Sequence, residues 1–82
     1  MQGEELRKIV GSNIHACRLN RQEPLTQTEL ARRIGVKPGF ISQIEAGKAS
    51  PSVDTLAAIA EELKVPPSFL MSLEGNFAMT SS

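Results

Sequence analysis

Between Thr26 and Gly35 the sequence writes both ends of a helix barely two turns long, and this brevity constrains the chain more than any other feature. Thr26 stands where a hydroxyl can accept hydrogen bonds from the free amides of a first turn, and Glu29, three residues on, completes a capping box. Leu25 before the cap can pack on Leu30 as a hydrophobic staple. At the other end Gly35 can take the left-handed conformation after Ile34, and Val36 can fold back onto the last turn. The spacing therefore predicts a helix over about Gln27 to Ile34.

The rest of the chain repeats the theme. Nowhere do β-branched and polar residues alternate over a useful length, so no strand is expected. Leu6, Val10, Ile14 and Cys17 fall on one stripe of a first helix from about Glu4 to Leu19, and Pro24 in "NRQEP" marks the loop after it. A third helix begins near Pro38, whose fixed φ suits a first turn, and Gly47 ends it; Ile41 and Ile44 share its inner face, with Phe40 beside them. Ser52 caps a fourth helix whose buried stripe is expected to be Val53, Leu56, Ala57, Ala60 and Leu63. "VPPS" breaks the chain again before a fifth helix from about Pro67 to Leu73, which contributes Phe69 and Leu70 to the core. The 82 residues allow one domain with a modest core, and with Phe as the only aromatic type that core must be built from Leu, Ile, Val and Ala. Five short helices joined by tight loops make an all-α bundle, expected as one domain over residues 1–73 with a flexible tail over 74–82.

Charge narrows the function. The formal net charge is zero, which argues against indiscriminate binding to polyanions, yet residues 27–48 hold four basic against two acidic side chains while residues 49–82 hold one against four. A basic face with an acidic back is compatible with these counts, and so is an ordinary solvated surface. No apolar run could span a bilayer and no signal peptide opens the chain, so a cytoplasmic protein is expected. Cys17 is the single cysteine and falls on an apolar stripe, as a core residue does. His15 is the single histidine and has no second ligand nearby, so no metal site is expected. Glu61 and Glu62 point different ways on their helix and suit a solvated face. With no nucleophile–base pair, phosphate loop or dinucleotide fingerprint, no catalytic residue, cofactor or small-molecule ligand is expected.

What remains is the stretch "QTELARRIGVKPGFISQIEAGK", two helices joined through a glycine. The second would hold its apolar residues inward and leave Lys37, Gly39, Ser42 and Gln43 as a short polar ridge facing outward. Two helices so connected form the helix-turn-helix pattern, here over about 27–46. With "LTQTELARRIGV", "ISQIEAGK" and "PSVDTLAAIAEEL" in register, the run from about Ile14 to Leu70 resembles the phage-repressor-type, or Cro/cI-type (XRE), helix-turn-helix family. The resemblance implies a five-helix bundle of the lambda-repressor-like DNA-binding type, with Ala31 small at the helix crossing, Gly35 at the turn, and Ile41, Ile44 and Glu45 as supporting residues. It implies that the helix over about 38–46 enters the major groove of double-stranded DNA. Lys37, Pro38, Gly39, Ser42 and Gln43 would then meet the bases, with Gln43 the leading reader because an amide can bond adenine in a bidentate pair. Gln27 and Lys48 would hold phosphates. Arg18 matches a family arginine that pairs with Glu45 and lies near the DNA backbone; as a surface pair it would add roughly 0–1 kcal/mol. Pro38 and Gly39 depart from the better-known repressors, which carry long polar side chains there, so contact with a thymine methyl or shape readout would carry more of the discrimination.

Such domains commonly pair on a pseudo-palindrome, which suggests a transcriptional repressor acting as a homodimer through the fifth helix and the tail. A competing class is an antitoxin-like or other protein-interaction module whose DNA binding is autoregulatory or depends on a partner. The neutral charge, the acidic C-terminal part and the apolar Met71, Phe77 and Met79 fit either.

Overall fold

The computed structural model describes residues 3–73, and over them the chain is five helices and their connections. These are α1 (Gly3–Leu19), α2 (Gln27–Ile34), α3 (Pro38–Glu45), α4 (Val53–Leu63) and α5 (Pro67–Leu70), with no strand among the described residues. The helix-turn-helix pair α2–α3 packs most closely; α1 lies against α3, α4 supports α2, and α5 closes the bundle against α1 and α4. Ile14, Leu30, Ala31, Ile41, Ile44, Ile59 and Leu70 are completely buried, one or two from every helix. Because α2, α3, α4 and α5 are only 8, 8, 11 and 4 residues long, too short to be stable alone, this shared apolar interior is what holds them.

Two stripes differ from their sequence-based positions. On α4 the buried residues are Ile59, Ala60 and Leu63, whereas Ala57 is exposed and Val53 is 84% exposed. The inward face runs through 56, 59, 60 and 63; Ala57 lies on its flank, and Val53 starts the helix at the rim of the bundle. On α1, Leu6 is partly solvated, and the buried face takes in Gly11, Asn13 and Arg18 beside Val10, Ile14 and Cys17. Asn13 earns its place as a clamp: its Nδ2 donates to the carbonyls of Leu70 and Ser72, both at 2.8 Å, at the end of α5. That helix stops at Leu70, short of the expected Leu73.

The helix ends follow the chain chemistry closely. Thr26 and Ser52 each accept from the backbone N–H three residues on, at 3.0 and 3.1 Å. The capping box itself is only half formed, because Glu29 turns along α2 to Arg32 and Arg33 instead of back to the cap. At their C-terminal ends α2, α3 and α4 close alike, with Val36, Lys48 and Val65 donating back to Ala31, Gln43 and Ala60 at 2.9–3.0 Å. The residue before each donor is left-handed: Gly35 at φ 78°, Gly47 at φ 75°, and Lys64 at φ 61°. Only Lys64 carries a side chain there, and it takes on the associated strain. Lys64→Gly is expected to raise stability by up to about 1 kcal/mol, the strain relieved less the added backbone entropy. A chemical-denaturation midpoint at or below that of the wild type would show that the lysine compensates for its own conformation.

Candidate nucleic-acid interface

The outer face of α3 follows from how its inner face is held. Ile41 and Ile44 are fully buried and Phe40 half-buried, which turns Lys37, Pro38, Gly39, Ser42 and Gln43 together into solvent. Lys37 precedes the helix with extended backbone (φ −76°, ψ 143°), and Pro38 occupies the first turn. Ser42 and Gln43 stand three and four positions beyond Gly39, hence one turn along on the same side. Lys48 emerges exposed just after the left-handed turn at Gly47. Neither Lys37 nor Lys48 has an ion-pair partner among the described residues, in contrast to Arg32 and Arg33, which are paired with Glu29. The result is a short polar surface with a cation near each end, on a helix whose opposite side is packed.

The end of α3 is fixed by a carboxylate. Glu45 has a side chain 5% exposed, and its Oε2 accepts from Arg18 Nε at 2.8 Å. Its Oε1 accepts from Arg18 Nη2 at 2.9 Å and from Gln27 Nε2 at 3.0 Å, and lies 2.9 Å from His15 Nδ1. His15 Nδ1 is also 3.2 Å from Arg18 Nη2; with its proton on Nδ1 it donates to Glu45 and makes the shorter of the two contacts. Burial alone would push the Glu45 carboxyl up, but hydrogen bonds from Arg18, Gln27 and His15 outweigh it and hold the group below its ordinary value of 4.5. One residue of α3 is thus tied to two helices, α1 through His15 and Arg18 and α2 through Gln27.

This arrangement keeps the expected pairing of Arg18 with Glu45 and corrects its expected surface setting. It is buried rather than a surface residue, and its third nitrogen, Nη1, donates to the Leu25 carbonyl at 2.8 Å. Each of its three nitrogens has a partner inside the protein, two on Glu45 and one on Leu25, so the guanidinium ties the end of α1 to α3. Gln27 joins the same carboxylate: one amide hydrogen serves Glu45, leaving the other for a ligand at the start of α2. Ala31 is fully buried between α2 and α3, and Gly35 adopts the left-handed turn joining them.

Two participants had no signal strong enough to identify them. His15 looks like any exposed helix residue, and only the position of Glu45 in space gives it a role. Gly11 sits mid-helix, where a Cβ would lie 2.2 Å from the Ile44 carbonyl oxygen and 2.8 Å from that of Glu45. Its missing side chain lets α1 approach the last turn of α3 at backbone distance. A glycine interrupting the Val10–Ile14–Cys17 stripe is the trace of that contact in the sequence.

Among the described residues no cluster of three His, Cys, Asp or Glu could hold a metal ion, and no helix is long and apolar enough to cross a membrane. Two helices joined by a left-handed glycine, with the second presenting an exposed polar ridge, define a helix-turn-helix protein. Residues 14–70 match the family model described as helix-turn-helix, and the chain belongs to that family, in its Cro/cI-type (XRE) branch. It is 41% identical over 61 residues to an uncharacterized HTH-type transcriptional regulator of Sinorhizobium fredii, covering 74% of this chain and 77% of the relative. It is 46% identical over 55 residues to the HTH-type transcriptional regulator for conjugative element SXT of Vibrio cholerae, covering 67% of this chain but only 25% of the longer relative. The crystal structure of the clp gene regulator ClgR from Corynebacterium glutamicum superposes with a TM-score of 0.77 at 26% identity, covering 93% of this chain and 78% of that one.

Proposed function

We propose that this chain is a transcriptional regulator that binds double-stranded DNA by setting α3 into the major groove, and that it represses from a pseudo-palindromic operator as a homodimer. The observation that carries the proposal is the exposed ridge Lys37–Pro38–Gly39–Ser42–Gln43, polar where base edges are polar, on a helix anchored at its other end by Glu45. Lys48, and the free amide hydrogen of Gln27, supply phosphate contacts at the flanks. The relatives named as HTH-type transcriptional regulators support this reading, and a cytoplasmic location is proposed with it. The binding domain of this reading is residues 1–73, of which 3–73 are described; the tail expected over 74–82 lies outside the described residues. For the dimer contact, exposed Met71 and Leu73 after α5 supply apolar surface; Phe77 and Met79, counted toward the same contact, lie outside the described residues.

Selection from a random duplex library at near-physiological salt tests this directly. Enrichment of a two-fold-symmetric site is the expected result. No enrichment from a folded protein would favour the partner-dependent module instead. Gln43→Ala is expected to relax one position of the selected site at a cost of about 1–3 kcal/mol. Lys48→Ala is expected to weaken binding to all sequences alike and to flatten the salt slope by about one unit. Equal effects of both variants on selected and random DNA would overturn this division of roles.

A further inference from the structure

Three glycines of the helix-turn-helix region and its α1 support have visible reasons: Gly35 and Gly47 are left-handed, and Gly11 meets backbone oxygens. Gly39 has none of these. It is absent from the positive-φ positions, it is exposed, and a Cβ built on it meets nothing within 4 Å. Alanine would fit and would favour the helix, since glycine is the poorer helix former of the two. The fold therefore gives no account of the residue, and what it leaves open lies in the middle of the presented ridge. There the absent Cβ lets an approaching surface come roughly 1.5 Å closer to the backbone. The surface so exposed is a Cα with the Pro38 ring next in the chain, which offers C–H groups and no side-chain hydrogen bond. Ser42 and Gln43 stand one turn beyond it as the neighbouring polar groups.

We propose that Gly39 is a specificity-determining residue, whose missing side chain makes a notch beside Pro38 that receives the 5-methyl group of a thymine in the major groove. The thymine methyl is the one base-edge group in that groove that is apolar and projects toward the protein. The inference rests on the DNA-binding function proposed above and deepens it from ridge to residue.

The test uses the duplex that selection returns for the wild-type chain, with each thymine replaced in turn by deoxyuridine, which removes only the methyl. Wild type is expected to lose about fourfold in affinity at one such position, the worth of one buried methyl group. Gly39→Ala is expected to melt at or above the wild-type temperature, to bind the unsubstituted duplex roughly tenfold more weakly because the notch is filled, and no longer to distinguish thymine from deoxyuridine there. Indifference of the wild type to every substitution, full binding by Gly39→Ala, or a lowered melting temperature would each overturn the proposal while leaving DNA binding intact. If wild type selects no duplex at all, the DNA-binding function falls and the notch with it.

Discussion

Glu45→Gln is expected to destabilise the fold by about 3–5 kcal/mol, the cost of leaving one member of a buried ion pair without its partner. For a chain of 82 residues, whose total stability is on the order of 4–12 kcal/mol, that is a large share. The neutral amide keeps the shape but cannot neutralise the Arg18 guanidinium, which has nowhere else to place its charge. Replacing Arg18 and Glu45 together by leucine is expected to cost less than either single change, because neither then leaves an uncompensated charge. Denaturant melts of the wild type, Arg18→Leu, Glu45→Leu and the double variant measure the coupling; additive losses would mean that the pair does not act as a unit. The pH dependence has a definite sign. The folded Glu45 carboxyl lies below its ordinary value of 4.5, so the unfolded chain binds the extra proton first as pH falls. This contribution is complete above about that value and is lost as pH falls through the folded one. Glu45→Gln should lack that part of the acid loss and keep the part due to half-buried Glu29, also held down by its Arg32 and Arg33 partners.

Gly11→Ala is the second large effect expected. One methyl group would be forced to 2.2 Å from the Ile44 carbonyl oxygen, a contact with backbone that no side-chain rotation can relieve. Either α1 or the last turn of α3 must move, at a cost of about 1–3 kcal/mol or more. Because Arg18 and Glu45 meet across the same two helices, the shift would also stretch their hydrogen bonds. Thermal unfolding of Gly11→Ala beside Gly39→Ala compares two exchanges of identical chemistry. A large loss in the first and none in the second is the expected pattern; a mild effect at position 11 would mean that α1 docks more loosely than its geometry implies.

The pattern of these sites shows what a sequence of this kind conveys. Thr26, Gly35, Pro38, Gly47 and Ser52 act through the backbone within a few residues of themselves, so both ends of α2 and α3 and the start of α4 are legible to within a residue or so. The inward faces of α2 and α3 were legible from their apolar spacing. Legibility failed where a side chain answers to a distant element. Val53 fits the periodicity of α4 yet lies beyond its neighbours, and Glu29 has the spacing of a capping box but two arginines on its own helix compete for it. Arg18 reads as a surface cation because nothing local reveals that Leu25 and Glu45 both converge on it. The ridge on α3 was legible as a surface; the carboxylate that steadies it was legible only as one half of a pair.

The meeting of Arg18 with Leu25 also has a practical side. Leu25 N–H donates to the Arg18 carbonyl at 3.2 Å while the Arg18 guanidinium donates to the Leu25 carbonyl, so the excursion between α1 and α2 is buckled shut at its base. Residues beyond the buckle, such as Glu23 and Pro24, are exposed. Extra residues spliced in there would lengthen a closed loop, at about 0.6 kcal/mol for each doubling, without pulling on α2. The molecule thus carries its own attachment point for a reporter or a tether, on the far side of the buckle from the helix-turn-helix pair.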